Sequence, residues 1–207
     1  MQPSRAWPAL CAALALASAA FWLAARAGWL LPQHWLWNAE DWARAPWTLW
    51  TGALVHLQAA YWLGNLLALT AVAALGTALN ASRRDAAALL IAWPLGTLAL
   101  LLWPEINNSW GLSGPIHAAL AVLAVRARRG ARTRTLGWLL LLGLAFKLVL
   151  ESGWTRPVGF DPGWGLNIVH AAHLTSAALG LLAALALGRQ PRQAAPDAPN
   201  PHASLLF

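Results

Sequence analysis

Six long apolar runs limit what this chain can fold into more than any other feature. They cover residues 7–31, 49–79, 86–103, 112–125, 136–150 and 166–187. Several reach the roughly 20 residues that a bilayer-spanning helix requires. The shorter ones fit inside a bundle. Backbone in lipid must pair its own hydrogen bonds, which leaves the helix as the natural element for such runs. Charge agrees, because only 10% of the residues are charged and 59% are hydrophobic, whereas a soluble domain carries about 25% charged residues. The expected fold is an all-α membrane protein with six transmembrane helices in one domain, residues 1–188. The segment 189–207, rich in proline, alanine and polar residues, is expected to be a disordered cytoplasmic tail.

A net charge of +7 raises the question of a nucleic-acid partner, and its distribution answers it. Arg5 precedes the first run, and Arg83 and Arg84 separate the second from the third. Arg126, Arg128, Arg129, Arg132 and Arg134 separate the fourth from the fifth, and Arg189 and Arg192 follow the last. The alternate loops hold only Arg44 and Arg156. Positive residues stay on the cytoplasmic side of a membrane protein, so both termini and both basic loops are expected inside. The basic excess then reports topology, and no nucleic-acid partner is expected.

Tryptophan fits the same orientation. Trp29, Trp35, Trp37, Trp42, Trp47, Trp50, Trp103, Trp110, Trp154 and Trp164 fall in or near the segments assigned to the outside. An indole favours the headgroup zone, where its ring is apolar and its N–H stays wet. Residues 32–47 are therefore expected to lie in the outer interface as a loop. The first run has no convincing small-x-small cleavage site at Ala24-Ala25-Arg26, so an uncleaved first span is expected. Cys11 is the only cysteine, which excludes a disulfide within one chain.

Polar residues inside the runs then demand an explanation, since they are costly at membrane depth and mark functional interiors. In the fourth run, Trp110-Gly111-Leu112-Ser113-Gly114 places a serine between glycines at the start of a helix. Glycines allow a sharp turn and a close approach to the hydroxyl. The helix start aims unpaired N–H groups at any charge formed there. That arrangement suits a nucleophile with an oxyanion site, although small residues in membrane helices also serve close packing. In the second run, His56, Gln58, Tyr61 and Asn65 stand among apolar residues. Tyr61 and Asn65 are four apart and share a face. They serve either interhelical hydrogen bonding or a reaction site into which Asn65 donates its amide.

In the sixth run, His173, Ser176 and Gly180 form a 3–4 stripe suited to close helix packing. Runs two, four and six all travel from outside to inside, so Ser113 and His173 are expected at similar depth near the outer face. A histidine neutral near pH 7 can serve as the general base for a serine. Two rivals for that base are His117, four residues after Ser113, and His170, one turn before His173. Lys147 and Glu151, four apart in the fifth run, are expected to pair along their helix, with substrate contact as the other reading. A zinc site from His56, His170 and His173 would lack a carboxylate close in sequence, and no metal is expected. Pro94 and Gly96 in the third run suggest packing.

These residues together resemble the rhomboid intramembrane serine proteases of the minimal six-helix bacterial type, and most closely their rhombosortase branch. The resemblance rests on Gly111-Leu112-Ser113-Gly114 with His117, on Ala172-His173 through Ser176 to Gly180, and on His56 and Asn65 at the family's spacing. Thr51-Gly52, Val55-His56-Leu57 and Lys147-Leu148 with Glu151 match patterns of the branch, and the likeness covers about residues 47–187. Tyr61 stands where the family usually has a second histidine, and Ser176 where it has a glycine.

The resemblance implies Ser113 as nucleophile and His173 as base. Asn65, Tyr61, Gly111, Leu112 and Gly114 would contact the oxyanion or the substrate. His56, His117, His170, Lys147 and Glu151 are candidates for contacts around that pair. It further implies an endopeptidase of the bacterial inner membrane, opening to the periplasm and needing no cofactor. The substrate would be a single-span membrane protein, such as one with a C-terminal GlyGly-CTERM sorting helix. A rhomboid-like protein that binds or sorts membrane helices without cutting them is the alternative.

Overall fold

Helix α5 (Ser113–Arg129) is the hub of the bundle because it is apolar on nearly every side. Ala118, Ala119, Val122, Leu123 and Ala124 lose all contact with solvent, as a helix without a polar face must. The computed structural model describes residues 4–188, so the tail expected at 189–207 lies outside the described residues. The other helices are α1 (Ala6–Arg26), α2 (Thr48–Thr51), α3 (Ala59–Ala78), α4 (Arg83–Leu98), α6 (Arg134–Glu151) and α7 (His170–Leu187). Helices α3, α4, α6 and α7 pack around α5, and α1 packs against α3 and α4.

Among the described residues, four helical segments are long and apolar enough to cross a membrane, namely Ala6–Arg26, Ala59–Ala78, Arg83–Leu102 and His170–Leu187. Leu16, Leu23, Leu63, Leu67, Leu142 and Phe146 are each more than half exposed on the outside of the bundle. Such faces suit lipid and would be a liability in water. The architecture is an all-α membrane bundle.

Small residues let α7 approach its neighbours closely. A Cβ added at Gly180 would lie 2.5 Å from the Ala118 carbonyl oxygen on α5. Ser176 lies between Gly96 of α4 and Gly114 of α5, where added Cβ atoms would stand 2.5 and 3.0 Å from its Oγ. The serine in the stripe is therefore matched by glycines on both neighbours. Thr175 adds a hydrogen bond to the Gly96 carbonyl at 2.9 Å. Gly180→Ala should destabilise the bundle, because overpacking costs about 1–3 kcal/mol and the gain in helix propensity is only about 1 kcal/mol. The expected readout is a lower unfolding temperature in detergent, and an unchanged one would show that the α5–α7 contact has slack.

At one end of the bundle, arginines bind carbonyls left open by helix ends. Arg126 donates to the Leu79 and Asn80 carbonyls at 3.3 and 2.9 Å. Arg129 donates to the Ala184 carbonyl at 2.9 Å. Two of the basic residues read above as topology signals thus also fasten the ends of α3 and α7.

The remaining departures from expectation lie at the opposite end. Helix α1 stops at Arg26 rather than continuing to residue 31. The second apolar run is not one helix: α2 passes into a 3-10 turn, Gly52–Leu54, and α3 begins only at Ala59. Between them Val55 and Gln58 are extended, which carries His56 into the interior. An unbroken apolar run cannot by itself show such a detour.

Trp37 is not an interface anchor. It is wholly buried with Leu49, Leu100, Ile106 and Ala171, and its strand β1 (Trp37–Asn38) pairs antiparallel with β2 (Asn108–Ser109). Residues 166–169 are not helical either. They form strand β4 (Leu166–Val169), paired antiparallel with β3 (Val158–Asp161). The Asp161 carboxylate accepts from the Gly163 and Trp164 N–H groups at 2.8 and 3.3 Å, and Gly165 takes a φ of +65° to close the turn.

Candidate active site

The approach to Ser113 is set by Gly111, whose φ of +96° suits glycine. A Cβ there would also stand 2.7 Å from the Tyr61 ring, so two independent constraints meet at one residue. The Gly111 N–H donates to the Gly52 carbonyl at 3.1 Å, tying this segment to the turn before α3. Leu112 is buried, and its N–H points at His56 Nε2 at 3.4 Å. Ser113 then opens α5.

Three helices converge on the serine hydroxyl. Tyr61 of α3 donates its phenolic O–H to Ser113 Oγ at 2.9 Å. His173 of α7 places Nε2 at 3.0 Å from the same oxygen. A hydroxyl has one proton to give and lone pairs to receive, so Ser113 accepts from Tyr61 and donates to His173. On the far side of the ring, His173 Nδ1 lies 2.9 Å from Glu151 Oε2, at the end of α6. The other carboxylate oxygen, Oε1, is held by Lys147 at 2.5 Å. The arrangement can withdraw the serine proton while holding the imidazole in place.

His117 and His170 occupy different positions around this line. The His117 ring stacks on His173 with centroids 4.1 Å apart and planes 11° from parallel. Its Nδ1 donates to the Ser113 carbonyl at 2.7 Å. His170 lies 6.2 Å from His173, centroid to centroid, and packs against Gly159 of the hairpin. His170 Nδ1 is buried without a hydrogen-bond partner among the described residues.

Asn65 and His56 form a second layer beside the serine. The Asn65 amide donates to the Tyr61 carbonyl at 3.1 Å and lies 3.3 Å from His56 Nε2. His56 Nδ1 faces the Leu54 carbonyl at 3.2 Å and Ser18 Oγ at 3.3 Å. With the proton on Nδ1, Nε2 is free to accept from both Asn65 and Leu112. His56 thus connects α1, the turn before α3, α3 itself and the segment leading to Ser113. In this arrangement the Asn65 N–H groups face His56 and the Tyr61 carbonyl rather than Ser113.

Tyr61 is flanked by Trp110 and Trp164, both edge-on, at centroid distances of 5.5 and 5.8 Å. Trp164 reaches in from the β3–β4 turn and lies over Gly64, where an added Cβ would stand 2.5 Å from its ring. Beside Ser113 is a narrow cleft whose wall combines small residues, among them Gly52, Gly111, Gly114 and Ala172, with the bulkier Tyr61, Trp110, Leu166 and Ile168.

His56, His170 and His173, the zinc alternative weighed above, do not form a group of ligand atoms among the described residues. Instead His117, Glu151 and His173 bring potential ligand atoms within 4.8 Å of one another. Both His173 nitrogens already face partners, as does His117 Nδ1. Within the cluster only His173 and Glu151 are hydrogen-bonded to each other, while His117 bonds to Ser113.

Glu151, named above among the candidates around the Ser113–His173 pair, reaches that pair through His173 Nδ1. Its pairing with Lys147 was legible from their spacing, but its contact with His173 crosses between helices. The signal available was depth: the fifth run ends on the side where the second, fourth and sixth begin. Comparison with individual curated proteins finds no match. The family model described as Rhomboid domain matches residues 43–190. That match takes in every residue placed around Ser113 above except Ser18, and the chain belongs to the rhomboid family, whose members are generally intramembrane serine proteases.

Proposed function

We propose that this protein is an intramembrane serine endopeptidase in which Ser113 is the nucleophile and His173 the general base. The observation carrying this reading is the 3.0 Å approach of His173 Nε2 to Ser113 Oγ across two different helices. His173 takes the hydroxyl proton as Oγ bonds to the scissile carbonyl carbon. The tetrahedral intermediate collapses, the C–N bond breaks, and His173 returns the proton to the leaving amine. Water then attacks the acyl ester with the same base assisting.

Tyr61 is the oxyanion donor nearest the reacting atoms, together with backbone N–H groups at the start of α5. Asn65 supports Tyr61 from the next turn of α3 in the resting enzyme, rather than pointing at the serine. The narrow cleft beside Ser113 suits an unwound segment of a single-span substrate with small side chains, since Tyr61, Trp110, Leu166 and Ile168 leave little room beside the small residues. Its resemblance to the rhombosortase branch makes proteins with C-terminal GlyGly-CTERM helices the substrates of choice. The arginines at the opposite end of the bundle support a cytoplasmic location for that end. The site then opens to the periplasm from the bacterial inner membrane.

The test is to label membranes containing the wild-type protein with a fluorophosphonate and map the adduct by peptide mass spectrometry. One adduct, at Ser113, is the expected result. The opposing reading, a helix-binding protein that does not cleave, rests on tyrosine standing at position 61. It would be favoured if the protein stays unlabelled while an active rhomboid in the same membranes reacts.

A further inference from the structure

We propose that Glu151 is a positioning residue that extends the pair to a Ser113–His173–Glu151 relay, with Lys147 holding the carboxylate in register. This rests on the assignment of Ser113 and His173 made above. The three side chains come from α5, α7 and α6, and the two contacts linking them are 3.0 and 2.9 Å. The relay is sheltered, since the side chains of His173 and Glu151 are only 5% and 15% exposed.

The physical need for Glu151 follows from the histidine. A neutral imidazole carries one proton on either nitrogen, and only the Nδ1–H form leaves Nε2 free to accept from Ser113. An ionised carboxylate only accepts, so Glu151 selects that form. It also sets a negative charge beside the imidazolium created when the serine proton is transferred. A buried cation without such a partner is costly.

Each carboxylate oxygen has its own partner, so Lys147 does not compete with His173. Lys147 lies one helical turn before Glu151 with its side chain 50% exposed, and by holding Oε1 it keeps Oε2 directed at the ring. His117, stacked against the ring face, restricts the remaining rotation. A simple ion pair fastening α6 would require only the lysine contact.

Second-order rates of fluorophosphonate acylation, measured on the full-length protein in detergent micelles, test the relay. Glu151→Gln keeps the side-chain shape and should slow acylation about 10²–10⁴-fold, the scale expected when a triad carboxylate is made neutral. Lys147→Met should slow it less than about tenfold. In protein labelled with ¹⁵N-histidine, His173 should be the Nδ1–H tautomer in the wild type and a mixture in Glu151→Gln. The wild-type tautomer is read without any variant, so it does not depend on how the variants fold.

Acylation of Glu151→Gln and Glu151→Leu at the wild-type rate would overturn the role of Glu151 alone. An Nε2–H tautomer of His173 in the wild type would overturn the relay and the base assignment together, because Nε2 could then not accept the serine proton. Absence of wild-type labelling would overturn the nucleophile assignment and the relay with it.

Discussion

Alanine at Ser113 or at His173 is expected to reduce acylation and peptide cleavage by about 10⁶-fold, and the double variant should be no worse than either single one. That scale and that non-additivity apply where nucleophile and base act as a unit. The geometry here leaves no substitute for either member. Without His173, the Ser113 proton has no acceptor on the α7 side. His117 cannot replace it, because its ring lies parallel to that of His173 and its Nδ1 is engaged by the Ser113 carbonyl. His170 sits 6.2 Å from His173 against the hairpin, removed from the serine. The measurement is single-turnover cleavage of a reconstituted single-span substrate, with the four proteins compared at equal folded concentration. Persistent activity in His173→Ala that disappears on replacing His117 would move the base to His117.

Tyr61→Phe should lower the acylation rate about 10²–10³-fold, equivalent to roughly 2.7–4 kcal/mol, as for loss of one oxyanion donor. Two effects oppose each other. Removing the phenol frees Ser113 Oγ from a resting hydrogen bond of 2.9 Å, and such a neutral bond is worth about 1 kcal/mol net. Losing a donor to the transition state is the larger effect, so the net result should be slower reaction. The ring should stay in place, because Trp110 and Trp164 pack on it without using the hydroxyl. Unchanged protein stability together with a slower rate would assign the loss to chemistry. A faster variant would mean that the phenol restrains the serine at rest and that the oxyanion is stabilised elsewhere.

What the sequence revealed follows from which relations lie along one helix or at one depth. Ser113 and His173 were matched because both occur just inside runs travelling in the same direction. Lys147 and Glu151 were paired because i,i+4 spacing is a property of a single helix. The Glu151–His173 contact depends on how α6 and α7 are placed around α5, which no local spacing encodes. Position 61 could be recognised as unusual, but only the contact with Ser113 Oγ shows what the phenol does at rest. The detour at residues 55–58 was hidden because its neighbours are apolar on both sides. Trp37 was misassigned for a related reason: an indole in an apparent interface segment looks the same whether it faces headgroups or a strand pairing.

The arginine contacts at the far end of the bundle have a mechanical consequence for the site. Arg126 anchors the end of α3, and Arg129 the end of α7, whereas Tyr61, Ser113 and His173 meet at the other extremity. A rod of 20 residues is about 30 Å long, so a tilt of roughly 5° about its fastened end sweeps its free end through about 2.6 Å. For α7 that sweep would part Ser176 from Gly114 and Thr175 from the Gly96 carbonyl, so this helix is held at both extremities and the site is stiff against tilting.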